Sequence, residues 1–175
     1  MVSKKEIIDC FTEELAWIRD ETLKNKVVSV WKTAAEIRGW KSIHDVPFTL
    51  LMKDSGRLTD HTKRMTHLVY AVMTQRKEKL NQDYLIAGAL LHDVGKLVEY
   101  DVIDQQIVKG EYGEKFRHPL AGAKLAWQHD IPDEIVHIIY AHSHEGDKTK
   151  RSAEAVIVNH CDFIDFEIKK SLVKE

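Results

Sequence analysis

The chain is poor in the residues that interrupt helices, with 3 prolines and 8 glycines among 175 residues. Cysteine is scarce as well: Cys10 and Cys161 lack CxxC spacing, so free thiols in a reducing compartment are expected. No apolar run approaches the roughly 18 residues of a membrane span. The first residues carry no signal-peptide core either, so a cytoplasmic protein without a membrane role is expected. A net charge of −2 leaves no basic excess, which argues against a nucleic-acid coat protein or a membrane-surface protein. What is present is ordinary in bulk, 43% hydrophobic and 31% charged, and long enough for one domain over 1–175 with a real core. The departure is ten histidines. Little glycine and proline beside much histidine suggests a helical protein with an imidazole-rich site.

Helical periodicity dominates the pattern. Residues 4–38 read as one or two amphipathic helices, with Ile8, Phe11, Leu15 and Ile18 recurring at three- and four-residue steps. Gly39, Pro47 and Gly56 punctuate a connector. Helices are expected over 59–79 and from 82 to His92 or slightly beyond. Over 98–113 the period changes: Val98, Tyr100 and Val102 alternate with polar residues, which predicts a short hairpin or an irregular loop. Pro119 and Pro132 suit the first turns of two further helices, and a last helix is expected over 152–170. The expected fold is all-α, a compact helical bundle with one small insertion.

The most informative residues are His92-Asp93, reached at the end of the apolar run Ala89-Leu90-Leu91. Imidazole and carboxylate are both good ligands for a divalent metal, and buried polar groups of this kind are costly without partners. Lys96 follows three residues after Asp93 and four after His92, a helical neighbour of both. Further candidates emerge from what shares each helical stripe. His61 aligns with Leu58, Met65, Leu68 and Val72, so it is expected to face inward, whereas His67 shares a polar stripe with Lys63 and Arg64. His142 ends the apolar series Ile135, Ile138, Ile139. Asp162 shares its stripe with Ala155, Val158 and Phe166, and a carboxylate there calls for a neutralising partner such as a metal. A lone histidine on an apolar face is usually a hydrogen-bonded core residue. Several together, with a His-Asp pair, point instead to a metal site built across a bundle.

These residues resemble the pattern of the HD superfamily of metal-dependent phosphohydrolases: a histidine, then His-Asp, then a distal aspartate. Here they are His61, His92-Asp93 and Asp162, and the string Leu90-Leu91-His92-Asp93-Val94-Gly95-Lys96 is close to the family consensus. The resemblance covers about 59–168 and leaves the N-terminal third, helices 4–38, to pack on that core. Two more segments, Phe116-Arg117-His118-Pro119 and Ala141-His142-Ser143-His144, resemble those of multi-histidine members that hold two metals. The family's adjacent His-His is interrupted here by Ser143, so His144 joins His142 as a ligand only if the helix ends between them.

The resemblance implies an HD-domain bundle with His61, His92, Asp93, His118, His142 and Asp162 as ligands to divalent metal, two ions of Fe, Mn, Co, Ni or Zn, with Asp93 between them. It implies catalytic roles for Asp93 and Lys96, Lys96 contacting phosphate or protonating the leaving oxygen, and it makes Arg64 a candidate phosphate contact. Lys115, Arg117, Lys148, Lys150 and Arg151 flank the histidine segments and are candidates to ring the site, while Asp165 is a candidate to hold a ligand histidine in its tautomer. The implied activity is hydrolysis of a nucleotide or phosphodiester by metal-activated water, on a small phosphorylated, nucleotide-like substrate. Similar ligand sets also serve HD-type di-iron oxygenases acting on small polar substrates, and that alternative stays open from sequence. A binding module that keeps the metal fold without catalysis is the third reading.

Overall fold

A computed structural model describes residues 1–173 of the chain and is built almost wholly of helices. In chain order these are α1 (Lys4–Cys10), α2 (Thr12–Ala16), α3 (Glu21–Arg38), α4 (Leu58–Thr74), α5 (Gln82–Leu91), α6 (Lys96–Glu99), α7 (Glu111–Lys115), α8 (His118–Gln128), α9 (Asp133–Ala141) and α10 (Ala153–Leu172). Two short 3-10 turns, Ile43–Asp45 and His144–Gly146, and strands β1 (Tyr100–Ile103) and β2 (Gln106–Lys109) complete it. The strands pair antiparallel, Tyr100 opposite Lys109 and Ile103 opposite Gln106. The turn between them holds Asp104 and Gln105 at φ of 49° and 66°, the left-handed pair that matches hairpin twist. The insertion expected over 98–113 is this hairpin with α7 behind it. Among the described residues, no helix is long and apolar enough to cross a membrane.

Helix α5 is the axis of the fold. Asn81 caps it by accepting from the Tyr84 N–H, and every residue from Leu85 to Leu91 is buried. A helix apolar all round needs neighbours on every side; α3, α4, α9 and α10 supply them. Gly88 lets α9 approach, since a Cβ there would stand 2.7 Å from Ile138 Cγ2. The N-terminal segment divides into three helices rather than one or two, because the chain leaves helical geometry at Phe11 and turns again at 17–20, where Asp20 recaps it by accepting from the Thr22 and Leu23 N–H groups. Helix α3 then stops at Gly39, whose φ of 67° is the left-handed C-cap conformation.

This segment braces the polar part of the molecule. The Trp31 indole N–H donates to the Leu90 carbonyl (2.9 Å) and that of Trp40 to the Leu97 carbonyl (2.8 Å). Both acceptors lie at helix ends, where carbonyls lack partners within the helix, and between them runs the turn that carries His92 and Asp93. Trp31 and Trp40 thus pack in the core with their N–H groups satisfied, Trp17 stacks on Tyr70, and Trp127 is 60% exposed.

Candidate metal centre

Each candidate ligand stands where helix geometry brings it to one place. His61 lies in the first turns of α4 and Asp162 midway along α10, and these two helices pack together. His92 and His142 immediately follow α5 and α9, while His118 opens α8. Helix ends free a side chain from the stripe that a continuing helix would impose. Gly95 makes the close approach possible: a Cβ on it would fall 2.1 Å from the His118 carbonyl oxygen and 2.7 Å from the Gly122 nitrogen. The turn after Asp93 therefore lies directly against the start of α8, and His118 meets Asp93.

Two groups of ligand atoms result. His61, His92, Asp93 and Asp162 offer atoms all within 4.8 Å of one another, and so do Asp93, His118 and His142. In the first group His61 Nε2 lies 3.2 Å from His92 Nε2, 3.2 Å from Asp162 Oδ1 and 3.5 Å from Asp93 Oδ2. In the second, Asp93 Oδ1 lies 3.2 Å from His118 Nε2 and 3.6 Å from His142 Nε2. The sequence-derived set is thus brought together with Asp93 shared, one oxygen facing each group.

The hydrogen bonds behind the rings decide what they present. His92 Nδ1 lies 2.7 Å from the Ala89 carbonyl and His142 Nδ1 2.7 Å from the Ile139 carbonyl. A carbonyl only accepts, so each Nδ1 carries the proton and donates, and each Nε2 is left with a lone pair. His61 Nδ1 donates to Asp165 Oδ2 (2.7 Å) and His118 Nδ1 to Glu99 Oε2 (2.8 Å), with the same consequence when the rings are neutral. Lone pairs and carboxylate oxygens therefore face one another at the centre. Asp93 Oδ1 and His142 Nε2 are buried with no hydrogen-bond partner, a costly arrangement for an empty core. A divalent cation among these donors satisfies all of them, so the residues present fit metal at both positions.

Charge tells the same story. Burial lowers the basicity of His61, but hydrogen bonds to Asp162, Asp165 and Asp93 outweigh it and raise it to about 9. The spot favours positive charge, as a proton or as metal. Burial holds His92 and His118 below the usual imidazole value, which favours the neutral, ligating form. Burial would push the Asp93 carboxyl up, yet the Lys96 ammonium and then His92 and His118 hold it well below the usual range. Lys96 Nζ sits 2.6 Å from Asp93 Oδ2 with both side chains buried, and Asp93 in turn raises the lysine against its burial.

Other expectations meet a different structure. Arg64 does not reach the cavity beside the cluster: its guanidinium donates twice to Asp165, at 2.8 and 2.9 Å, because it lies one turn past His61 on the side facing α10. Arg64 is thus engaged with the carboxylate that holds His61. His144 joins neither donor group: its side chain is 70% exposed and pairs with Asp147, and its ring stands 5.5 Å from Phe163 at the cavity wall, since the chain leaves α9 after Ala141 and turns at Ser143. Of the flanking cations only Arg117 lines the cavity. Arg151 instead caps α9, donating to the Ala141 and Ser143 carbonyls, and Lys115 pairs with Glu111.

The cavity, about 320 Å³, opens beside Asp93, Lys96, His118 and Asp162. Several of its residues escaped sequence reasoning. Lys109 comes from the hairpin, and Phe48, Leu50 and Leu51 come from the stretch read as a connector. That stretch is an ordered loop, closed by the Phe48 N–H donating to the Gly56 carbonyl and by the Pro47–Arg57 bridge. It lays the Phe48 ring flat against His61, with centroids 3.7 Å apart. A β-branched or aromatic pair around Pro47 was the available signal, and nothing in its spacing pointed to the site.

The HD domain family model matches residues 58–166. The chain is 27% identical over 171 residues to a dihydroneopterin 2′,3′-cyclic phosphate phosphodiesterase of Methanocaldococcus jannaschii, covering 90% of this chain and 68% of that protein. It is 26% identical over 160 residues to a ribonuclease Y of Thermoanaerobacter pseudethanolicus, covering 87% of this chain but 28% of that much longer protein. Neither name is that of an oxygenase. No solved structure matches significantly. Ligand pattern, helical fold and family match agree: the chain belongs to the HD domain family and, with it, to the metal-dependent phosphohydrolases.

Proposed function

We propose that the chain hydrolyses a small cyclic phosphodiester of a nucleotide-like compound, with one metal ion held by His61, His92, Asp93 and Asp162 and a second by Asp93, His118 and His142. The observation that carries this reading is the convergence of lone pairs on two adjacent points beside a cavity that also holds cations. Divalent ions there, when bound, supply an acidified water and positive charge against phosphoryl oxygens. The chain's own groups do the rest. Lys96 contacts a phosphoryl oxygen and donates a proton to the leaving oxygen as the phosphorus–oxygen ester bond breaks and water's oxygen takes its place. Lys109 and Arg117 at the cavity wall offset the charge of the phosphate. Asp165, with Arg64 behind it, and Glu99 hold His61 and His118 in their ligating tautomers and are positioning residues.

The scale of the cavity favours a small ester over a polymer. About 320 Å³ lies at the low end of ligand pockets, and the net charge of −2 offers no extended basic track for a nucleic-acid backbone. The Methanocaldococcus relative acts, by its name, on a 2′,3′-cyclic phosphate, the ester type favoured here. Purified protein loaded in turn with manganese, iron, cobalt or nickel is assayed on 2′,3′-cyclic AMP, neopterin 2′,3′-cyclic phosphate and a short oligoribonucleotide. The expected result is turnover of the cyclic esters and little of the oligomer. Faster turnover of the oligomer, or none of any phosphoester with any metal, overturns the proposal.

A further inference from the structure

The metal cluster accounts for part of the cavity lining, and another part has a different chemistry. Two segments supply it. Phe163 and Phe166 lie three apart on α10, the first beside Asp162 in sequence and the second on its stripe, and both are half-buried at the cavity wall. Leu50 and Leu51 come from the loop between α3 and α4 and line the same cavity, with Leu51 83% exposed. An exposed single leucine is common on protein surfaces. Four large apolar side chains around one opening, next to a densely charged cluster, are not: elsewhere around this cavity stand Lys96, Lys109, Arg117 and Asp93.

We infer that this opening is a subsite for a planar, uncharged nitrogen heterocycle joined to the scissile phosphoester, with Phe163, Phe166, Leu50 and Leu51 as the specificity-determining residues. The inference rests on the proposed phosphodiesterase reading for its geometry. An ester whose phosphorus meets Lys96 and Asp93 must extend whatever it carries through the opening, so the lining there selects the attached group. Apolar, aromatic walls suit the face of a flat ring, since every base or pteridine has a π-face, and Thr49, Ser143 and His144 in the same lining can meet polar groups at its edge. A bare sugar or polyol phosphate gains nothing from those walls. The loop is held in place for this: its Ser55 hydroxyl donates to the Thr49 carbonyl (2.8 Å), and Phe48 is fixed between His61 and the Phe166 edge, 6.1 Å away.

The test compares Phe163→Ala and Leu51→Ser with the wild type. Leu51 packs against little in the folded protein, so its variant separates loss of the subsite from loss of the fold. Two readouts are taken. First, metal-loaded protein hydrolyses 2′,3′-cyclic AMP and methyl ribofuranoside 2,3-cyclic phosphate, which has the same ester and no nitrogen heterocycle. The ratio of their kcat/KM values falls by about tenfold or more in Phe163→Ala and by a smaller factor in Leu51→Ser. Second, adenosine and neopterin, which carry a ring and no phosphate, bind metal-free wild-type protein in calorimetry and bind both variants more weakly. An unchanged ratio together with unchanged adenosine and neopterin affinity overturns the subsite. If the wild type hydrolyses neither ester, the phosphodiesterase reading fails, and calorimetry still decides whether the opening holds a ring.

Discussion

The two donor groups share Asp93 and are otherwise built on opposite plans. The first has four donors, two of them carboxylates: His61 and His92 are fully buried, Asp162 reaches the cavity wall, and behind His61 stand Asp165 and the Arg64 fork. The second has three donors with one carboxylate oxygen, and His118 and Asp93 reach the cavity wall. Its anchors are a backbone carbonyl behind His142 and Glu99 behind His118. More donors and more negative charge favour retention at the first position, while fewer protein donors favour exchange with water and substrate at the second. The difference teaches that the first position is suited to the firmer hold on an ion and the second to the looser one.

The comparison can be broken at several points. The largest effect is expected from Asp93→Ala, which removes the oxygen facing each group: hydrolysis falls to background and metal content falls with it, measured by rate and elemental analysis. Lys96→Ala comes next. Its ammonium is not a ligand while protonated, so the metal stays and turnover drops by about 10²–10⁴-fold; full metal content with wild-type rate would remove its assigned role. Asp162→Ala and His142→Ala separate the two positions. Each is expected to leave one ion, the former losing the tightly held position and the latter the exchangeable one, and competition with a chelator distinguishes them.

Smaller effects sharpen the picture. Asp165→Asn and Glu99→Gln each weaken one anchor, at a cost of about 10–100-fold in metal affinity at its own position and little at the other, read by metal titration. Gly95→Ala tests how the second group is assembled. A Cβ at 2.1 Å from the His118 carbonyl oxygen cannot be accommodated without moving α8 from the turn after Asp93. Thermal or denaturant unfolding is expected to show a loss of about 1–3 kcal/mol, with weaker binding at the second position.

Helical content, the hairpin and the convergence of His61, His92, Asp93, His118, His142 and Asp162 were legible because each rests on local pattern: a 3.6-residue stripe, an alternation, a family string. What was not legible depends on long-range contact. Arg64 sits one turn from His61, and only the folded pairing of α4 with α10 reveals Asp165 as its partner. The loop around Phe48 reads as a connector because its closure uses backbone bonds that any sequence can make. Trp31 and Trp40 look like generic core residues, and their indole contacts to Leu90 and Leu97 appear only when α3 packs behind the His92-Asp93 turn.

The most direct test of the central claim, two ions sharing Asp93, is an equilibrium titration of metal-free protein with manganese, comparing wild type with Asp93→Ala. The account predicts two ions per wild-type chain, bound with clearly different affinities, and loss of both in the variant. A single ion per wild-type chain at saturation, or a variant that still binds two, would contradict it.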